Sequence, residues 1–150
     1  MKIIVAIDGS EYGKAAAEAV AARPWPAGSM VKVISAVEPP YLPTTETWAL
    51  PTSYYAQLEE AGREIAQNAV NAGADVIRSS KIAQVEIITE VKDGNAKDVI
   101  LDEAKKWGAD LIVLGSHGYG ALQRFLLGSV SHNVATHAPC SVEIVRRKEA

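Results

Sequence analysis

The chain has 150 residues, a length typical of one domain, and we predict a single domain over residues 1–150. Its 15 Lys and Arg residues are outnumbered by 18 Asp and Glu residues, which gives a formal net charge of −3. Nucleic-acid-binding proteins usually carry a basic excess, so no nucleic acid partner is expected. A content of 48% hydrophobic residues excludes an intrinsically disordered chain and permits a buried core.

The chain contains one cysteine, Cys140, and therefore cannot form an internal disulfide. We expect Cys140 to be a packed residue rather than a nucleophile, and we expect the protein to work in a reducing compartment, the cytoplasm. Asp8 interrupts the apolar N-terminal segment, and no run approaches the ~18 apolar residues of a membrane helix. Neither a secretory signal nor a membrane partner is expected.

The first third of the chain reads as strand, helix and strand. Residues 3–7 form an apolar, β-branched run, the pattern of a strand buried on both faces of a parallel sheet. Ser10 is placed to cap a helix over residues 11–22. A second strand over residues 31–37 is followed by a segment rich in Pro and Thr that reaches about residue 52.

A second helix of about 20 residues follows this segment. Its apolar residues recur at steps of three and four, which predicts one stripe facing the core. Polar residues such as Glu59, Arg63 and Gln67 are expected on the opposite, solvated face. The stripe predicted to be buried consists of Leu58, Ala61, Ile65, Ala69, Ala72 and Val76.

The second half continues the alternation of strands and helices. Residues 85–91 alternate in polarity and predict an edge strand. A third helix is expected between a cap at Asn95 and a terminating Gly108. The segment 110–115 is strongly apolar and predicts a central strand.

The last helix and strand complete the alternation. Ser129 is placed to cap a helix that runs to about His137, because Pro139 prevents its continuation. Residues 141–145 form the fifth strand. Strands that alternate regularly with helices predict an open, five-stranded parallel α/β sheet with helices on both faces. We predict the strand order 3-2-1-4-5, which leaves the third and fifth strands at the edges.

The segment after the fourth strand carries the strongest functional signal. In open α/β sheets, ligands lie beyond the C-terminal ends of the strands, at the point where the strand order reverses. Residues 115–118 read Gly-Ser-His-Gly, and after nine further residues Gly128-Ser129 opens a helix. Neither a P-loop nor a dinucleotide fingerprint is present. Glycines and unpaired helix N-terminal amides suit an anion site, but the same glycines also suit simple turns, and both interpretations stay open here.

The whole chain resembles the universal stress protein family in its nucleotide-binding branch. The resemblance is carried by the opening residues 3–11, the second strand before Glu-Pro-Pro, the segment 110–118, Gly128-Ser129-Val130, and Ala-Pro-Cys-Ser-Val at 138–142. The spacing Gly-x2-Gly-x9-Gly-Ser is the ATP-binding signature of that family. The resemblance implies a Rossmann-like fold of the adenine nucleotide alpha hydrolase type.

The resemblance also implies which residues bind the nucleotide. Adenine is expected near Val37, the ribose or a divalent ion at Asp8, and the phosphates on the glycine segment and the last helix. Arg124 lies within the signature and is a candidate phosphate contact. The implied binding residues are Ala6, Ile7, Asp8, Ser10, Val37, Gly115, Ser116, His117, Gly118, Arg124, Gly128, Ser129, Val130 and Ser131.

Three functions are compatible with these residues. The first is an ATP-binding stress-response or signalling module that takes up the nucleotide with Mg or Mn and presents the segment 38–57 to a protein partner. The second is a slow ATPase, for which the sequence supplies no P-loop lysine and no evident general base, so no catalytic residue is assigned. The third is a nucleotide-free structural homodimer. His132 and His137 are five residues apart and predict no metal site of their own, so Asp8 is the one metal contact considered, through a nucleotide-bound ion.

A homodimer is expected through the C-terminal strand, residues 141–146. This strand is apolar, contains no proline, and would be prone to aggregation if its edge stayed bare. The family resemblance implies the same pairing. Leu126 and Leu127 are considered as additional interface residues.

Overall fold

The computed structural model describes residues 1–40, 51–118 and 126–147, and the statements below concern these residues. Five strands alternate with four helices along the described chain. Their bounds are β1 Lys2–Ala6, α1 Glu11–Ala21, β2 Met30–Val37, α2 Thr52–Arg78, β3 Glu86–Asp93, α3 Ala96–Trp107, β4 Leu111–Gly115, α4 Ser129–His137 and β5 Ser141–Val145.

The strands form one parallel sheet in the order β3-β2-β1-β4-β5, which confirms the predicted fold class and strand order. β1 lies in the centre, where Val5 is in register with Val33 of β2 and Val113 of β4. The chain moves from β1 to one side of the sheet and later returns to the other side through β4. The order therefore reverses at β1, and a crevice is expected beyond its C-terminal end.

Side chains of successive strand residues pack on opposite faces of the sheet. Ile3 and Val5 belong to the core covered by α1 and α2, whereas Ile4 belongs to the core covered by α3 and α4. All three side chains are fully buried. The helices therefore cover both faces, as a parallel sheet requires.

Helix α2 differs from the prediction in its length and in the face that it buries. It has 27 residues. Ile65, predicted to lie in the core, is 59% exposed, and Ala61 and Ala72 are exposed as well. The buried residues are Ala66, Ala69, Val70, Gly73, Ala74 and Ile77. The predicted stripe was therefore wrong by about one residue around the helix, and Ala66 rather than the larger Ile65 faces the sheet.

Two of the predicted helix ends are confirmed. The Ser10 hydroxyl accepts a hydrogen bond from the Gly13 N–H at 3.2 Å and caps α1. Gly108 ends α3 in the left-handed conformation, with φ of 69°.

The predicted N-cap position of α3 is confirmed, whereas the predicted cap of α4 is wrong. Asn95 holds the N-cap position of α3, but its side chain makes no capping hydrogen bond. The Glu38 carboxylate instead accepts the Ala96 N–H at 3.0 Å. The N-cap of α4 is Gly128, and Ser129 belongs to the first helical turn.

A buried ion-pair network fixes α3 to the sheet. The Glu103 carboxylate accepts hydrogen bonds from Lys32 on β2 and from Lys92 on β3, both at 2.5 Å. The Lys32 ammonium also lies 4.7 Å from the centre of the Trp107 ring. Lys32 and Glu103 are only 8% and 5% exposed, and their charges are compensated within this network, in which the Lys32 ammonium also lies 3.4 Å from the Glu90 carboxylate.

Cys140 is half-buried and packs against the core beneath α3 and α4, as predicted. Burial and the nearby charge of Asp110 raise the pKa of its thiol. A thiol with a raised pKa forms less thiolate and is a poor nucleophile. Among the described residues, no helix is long and apolar enough to span a bilayer.

Candidate functional site

A cleft of about 700 Å³ opens at the C-terminal ends of β1, β2 and β4. Its position is the one expected for the ligand site of an open α/β sheet. Helices α2, α3 and α4 complete the walls. Eleven of the predicted binding residues line it, namely Ala6, Ile7, Asp8, Val37, Gly115, His117, Gly118, Gly128, Ser129, Val130 and Ser131.

Asp8 follows directly after β1 and faces the glycine segment across the cleft. One carboxylate oxygen, Oδ1, accepts the Ser10 N–H at 2.9 Å, which fixes the side chain at the start of α1. The other oxygen, Oδ2, lies 2.9 Å from the position that a Cβ atom would occupy on Gly118. Oδ1 is thus used for a hydrogen bond within the protein, whereas Oδ2 lies beside Gly118 at the cleft.

Ser10 and Ser116 do not line the cleft, in contrast to the prediction. Both are buried, with 6% and 3% exposure. The Ser10 hydroxyl caps α1 through Gly13. The Ser116 N–H donates to the Val145 carbonyl at 2.9 Å and ties the glycine segment to the end of β5. Both residues therefore hold in place the segments that form the walls of the cleft.

Packing against α1 requires a glycine at position 115. A Cβ atom at this position would lie 2.6 Å from the carbonyl oxygen of Tyr12, in the first turn of α1. A backbone oxygen in a packed helix cannot move aside as a side chain can. The glycine therefore permits α1 to approach the end of β4.

The N-terminus of α4 forms one wall, but part of its hydrogen-bonding capacity is already used. The Gly128 N–H donates to the Ser116 carbonyl at 2.8 Å, and the Ser131 hydroxyl lies 2.9 Å from the same carbonyl. The Gly128 N–H and the Ser131 hydroxyl are therefore engaged within the fold in this structure. The first intrahelical bond runs from the His132 N–H to the Gly128 carbonyl, which leaves the N–H groups of Ser129, Val130 and Ser131 outside the helical pattern.

His117 lies in the glycine segment and lines the cleft. Its Nδ1 is 3.0 Å from the Ser116 hydroxyl, and its ring packs 5.3 Å from the Tyr12 ring, centre to centre. Its Nε2 is buried and has no hydrogen-bond partner in the described part of the chain. A buried nitrogen without a partner is costly, which suits a group that meets a ligand.

At the end of β2, the N–H and carbonyl of Ala36 face the cleft, whereas the carbonyl of Val37 is hydrogen-bonded to the β3 side. The Val37 carbonyl accepts the Gly94 N–H at 2.9 Å and thus belongs to the ladder with β3. The Ile34 carbonyl accepts the Ile7 N–H at 3.0 Å, at the end of the pairing with β1. Because alternate residues of a strand direct their peptide groups to opposite sides, those of Ala36 point to the side where β1 has ended. Val37, near which adenine is expected from the family resemblance, also lines the cleft, and its contact with a base stays a prediction.

Several cleft residues were missed from the sequence. α3 contributes apolar residues near its N-terminus, and Glu38 closes that side while it caps the same helix. Which helix faces would reach the cleft depends on how the helices cross the sheet, and no local motif marks it. Leu126 and Leu127 line the cleft, and their contribution to an interface between copies stays a prediction. Arg124 lies outside the described residues. The missed residues are Gly13, Ile34, Ser35, Ala36, Glu38, Gly62, Ala96, Val99, Ile100, Leu114, Leu126 and Leu127.

A metal ion at Asp8 would need ligands from elsewhere. In the described ranges, no three His, Cys, Asp or Glu side chains are clustered so that they could hold a metal ion. Asp8 offers Oδ2, because Oδ1 already accepts a hydrogen bond. Mg²⁺ commonly keeps several waters and binds through one or two carboxylates together with substrate phosphates. The donor set therefore fits an ion that arrives with a phosphate-containing ligand.

The sequence comparisons place this chain in a family. The family model described as Universal stress protein family matches residues 1–146. Staphylococcus aureus strain USA300 has a protein named as a universal stress protein that is 32% identical over 151 residues, which cover 98% of this chain and 84% of that protein. The chain belongs to the universal stress protein family.

Solved structures share the fold. The universal stress protein UspA from Lactobacillus plantarum superposes with a TM-score of 0.78 at 24% identity, over 97% of both chains. A universal stress protein in complex with cAMP has a TM-score of 0.64 at 23% identity, over 97% of this chain and 96% of that one. The Arabidopsis thaliana family member At3g01520, solved with AMP bound, has a TM-score of 0.58 at 20% identity, over 99% of this chain and 92% of that one.

Proposed function

We propose that this protein binds an adenine nucleotide, with ATP as the ligand, in the cleft beyond β1, β2 and β4. The observation that carries the proposal is the convergence of Asp8, the glycine segment and the N-terminus of α4 on one cleft at the switch point of the sheet. Family members solved with cAMP and AMP bound support the class of ligand.

The phosphate end is assigned to the N-terminus of α4. The N–H groups of Ser129 and Val130 precede the first intrahelical hydrogen bond, and both residues line the cleft. Free N–H groups at a helix N-terminus and the helix dipole together favour an anion. His117 adds a ring nitrogen, Nε2, which has no other partner among the described residues.

The base end is assigned to the end of β2. Ala36 offers one N–H donor and one carbonyl acceptor side by side. The Watson–Crick edge of adenine carries a ring-nitrogen acceptor next to an amino-group donor, so the two can form a pair of hydrogen bonds. Apolar residues Val99 and Ile100 of α3 and Leu127 line the cleft and provide surfaces against which a flat ring can pack. Asp8 is left for the ribose or for an ion bound to the phosphates.

A thermal unfolding and calorimetric titration tests the proposal. Saturation at ~100 times the dissociation constant stabilises a folded protein by about 2.7 kcal/mol, so ATP with Mg²⁺ is expected to raise the melting temperature, and GTP to raise it less. Absence of a shift with ATP, AMP and cAMP alike would reject nucleotide binding and leave the structural homodimer. A single-turnover measurement separates a binding module from the slow ATPase, because the binding module returns intact ATP.

We also propose that two copies of the chain pair through β5. β5 is an edge strand of five residues, and its outer side carries unpaired backbone groups in the sheet as described. Pairing with the same strand of a second copy would satisfy them and would remove an exposed edge. The proposal is tested by measuring the mass of the protein in solution by sedimentation equilibrium.

A further inference from the structure

Three ionisable side chains line the cleft within the described residues, namely Asp8, Glu38 and His117. Two of them are carboxylates, which repel a phosphate group unless a cation lies between. Glu38 is also held away from the phosphate end by its hydrogen bond to the Ala96 N–H at the start of α3. In this described wall, His117 is therefore the side chain that can bring a positive charge to a bound phosphate.

The two nitrogens of the His117 ring have different surroundings. Nδ1 lies 3.0 Å from the Ser116 hydroxyl, and the ring packs against the Tyr12 ring, 5.3 Å away from centre to centre. Nε2 is buried, and none of the residues that the structure describes gives it a hydrogen bond. The fold thus fixes the ring through Nδ1 and leaves Nε2 to be paired by a ligand, because a buried polar nitrogen without a partner costs stability.

The Ser116 hydroxyl suits the ring in either protonation state. A hydroxyl can donate a hydrogen bond to an unprotonated Nδ1, or it can accept one from an Nδ1–H group. His117 therefore keeps its bond to Ser116 whether the ring is neutral or carries protons on both nitrogens.

We propose that His117 binds the phosphates of the nucleotide as an imidazolium, so that the protein takes up a proton together with its ligand. The inference rests on the proposed nucleotide site and adds the charge state in which that site holds the phosphates. A charged donor forms a shorter and stronger hydrogen bond to phosphate than a neutral donor does. A bound phosphate in turn favours the charged form of a neighbouring imidazole.

The groups packed around the ring decide its charge before the nucleotide binds. Tyr12 from α1 and Ser116 carry no charge near neutral pH. Gly128, whose Cβ would lie 3.2 Å from the His117 Cα, brings the positive end of the α4 dipole, which disfavours a second positive charge. Asp8 acts in the opposite direction from the end of β1. A phosphate at the start of α4 adds negative charge beside the ring and shifts this balance to the imidazolium.

The proposal determines how pH acts on binding. A phosphate monoester carries two negative charges well above about pH 6, whereas an imidazole loses its proton between about pH 5 and pH 8. From about pH 7 to pH 8.5, the charge of the ligand therefore stays constant while the ring of the free protein becomes neutral. Protonation of the ring then costs more at each higher pH, and the affinity for ATP should fall by about fivefold or more across this range.

Isothermal titration calorimetry with ATP and Mg²⁺ at pH 7.5 counts the protons. The titration is repeated in Pipes, Hepes and Tris, because the slope of the observed enthalpy against the ionisation enthalpy of the buffer equals the number of protons exchanged. We expect an uptake of about half a proton or more per nucleotide. Clear binding with equal enthalpies in the three buffers would overturn the proposal and leave nucleotide binding intact. Absence of binding in every buffer would reject the proposed function and this proposal with it.

Matched variants locate the proton. His117→Gln retains a neutral amide donor of similar reach that does not take up a proton, so the uptake should vanish and the affinity at pH 7.5 should fall by about fivefold. His137→Gln is the control, because His137 is exposed in the last turn of α4 and binds the Asn133 carbonyl. Its uptake and affinity should equal those of the unchanged protein, and thermal unfolding verifies that both variants fold. Uptake that persists in His117→Gln would assign the proton to another group, such as Asp8, and would overturn the proposal.

Nuclear magnetic resonance observes the ring directly. The chain has three histidines, and the chemical shift of each ring Cε1–H group reports its protonation. The signal that is missing from His117→Gln belongs to His117. At pH 7.5, saturation with ATP should move this signal to the position of a charged ring and leave that of His137 in place. A His117 signal that stays at the position of a neutral ring in the ATP-saturated protein would overturn the proposal.

Discussion

The Oδ2 atom of Asp8 lies 2.9 Å from the position that a Cβ atom would take on Gly118. The carboxylate at the end of β1 and the glycine segment after β4 thus occupy adjoining space. Any side chain at position 118 must displace one of them. The φ of Gly118 is not positive, so its backbone conformation does not require a glycine. The close approach of the Asp8 carboxylate is what favours a glycine at this position.

Gly118→Ala is expected to weaken ATP binding by about tenfold or more while the fold stays intact. The new methyl group would push Asp8 or the glycine segment out of place at the ribose and phosphate end of the proposed site. A double-mutant cycle with Asp8→Ala, measured by calorimetry, tests this cause. The alanine at 118 should cost less when Asp8 is already truncated, with a coupling free energy of about 1 kcal/mol or more. Additive losses would show that position 118 acts independently of Asp8.

Gly115→Ala is expected to reduce the free energy of unfolding by about 1–3 kcal/mol. The reason is the 2.6 Å approach of its Cβ to the Tyr12 carbonyl oxygen. Gly62→Ala is the matched control, because its Cβ would meet Val37 at an ordinary 3.4 Å within a helix. Alanine there should stabilise the protein by about 0.4–1 kcal/mol. Urea unfolding with unchanged m-values measures both effects, and equal stabilities of the two variants would contradict the packing argument.

The sheet could be predicted from the sequence, but the buried face of α2 could not. Alternation and crossover handedness predict a parallel sheet with helices on both faces, and the order 3-2-1-4-5 is one of several strand orders that they permit. In α2, a stripe through Ile65 and a stripe through Ala66 are both apolar, and the larger residue suggested the wrong one. The helix approaches the sheet so closely that a Cβ on Gly73 would lie 2.6 Å from Ile7. Only small residues fit that contact, and their hydrophobicity is weak.

The candidate site shows the same limit at the level of single residues. The motif located the glycine segment and the N-terminus of α4, because their spacing is local. It could not show which backbone groups at the end of β2 stay unpaired, since this depends on where β1 ends relative to β2. It also could not show that the Gly128 N–H and the Ser131 hydroxyl both form hydrogen bonds with the Ser116 carbonyl. Such partners become visible only when separate segments are brought together.

Glu103→Gln is expected to destabilise the protein by about 2–4 kcal/mol, because it leaves the ammonium of the buried Lys32 with only the more exposed carboxylate of Glu90, 3.4 Å away, as an ion-pair partner among the described residues. The double variant Lys32→Met/Glu103→Leu removes both charges, and its stability should lie close to that of the unchanged protein. Denaturant unfolding of the three proteins provides the comparison. A double variant as unstable as the single one would mean that packing, and not charge, determines the loss.

The same carboxylate predicts a pH dependence of stability. Burial alone would raise the pKa of Glu103, but hydrogen bonds and charge from Lys32 and Lys92 outweigh it and lower the pKa below its ordinary value of 4.5. A carboxyl with a lower pKa in the folded state stabilises the fold fully above the pKa of the unfolded state and less as pH falls through the folded value. The stability difference between the unchanged protein and Glu103→Gln should therefore shrink below about pH 4.5. If the two free energies of unfolding differ by the same amount from pH 6 to pH 3, Glu103 does not have a lowered pKa in the folded protein.

Pairing through β5 is tested by removing one outward N–H group. The Val145 carbonyl accepts the Ser116 N–H on the β4 side, so alternate residues including Glu143 also bond inward, whereas Val142 directs its peptide groups outward. Val142→Pro should leave the internal ladder intact, since proline is tolerated on an edge strand, but should block a second copy. Val142→Ala controls for the lost side chain. We expect sedimentation equilibrium to give twice the chain mass for the unchanged protein and the alanine variant, and the single-chain mass for the proline variant. Dimers of the proline variant would place the interface elsewhere.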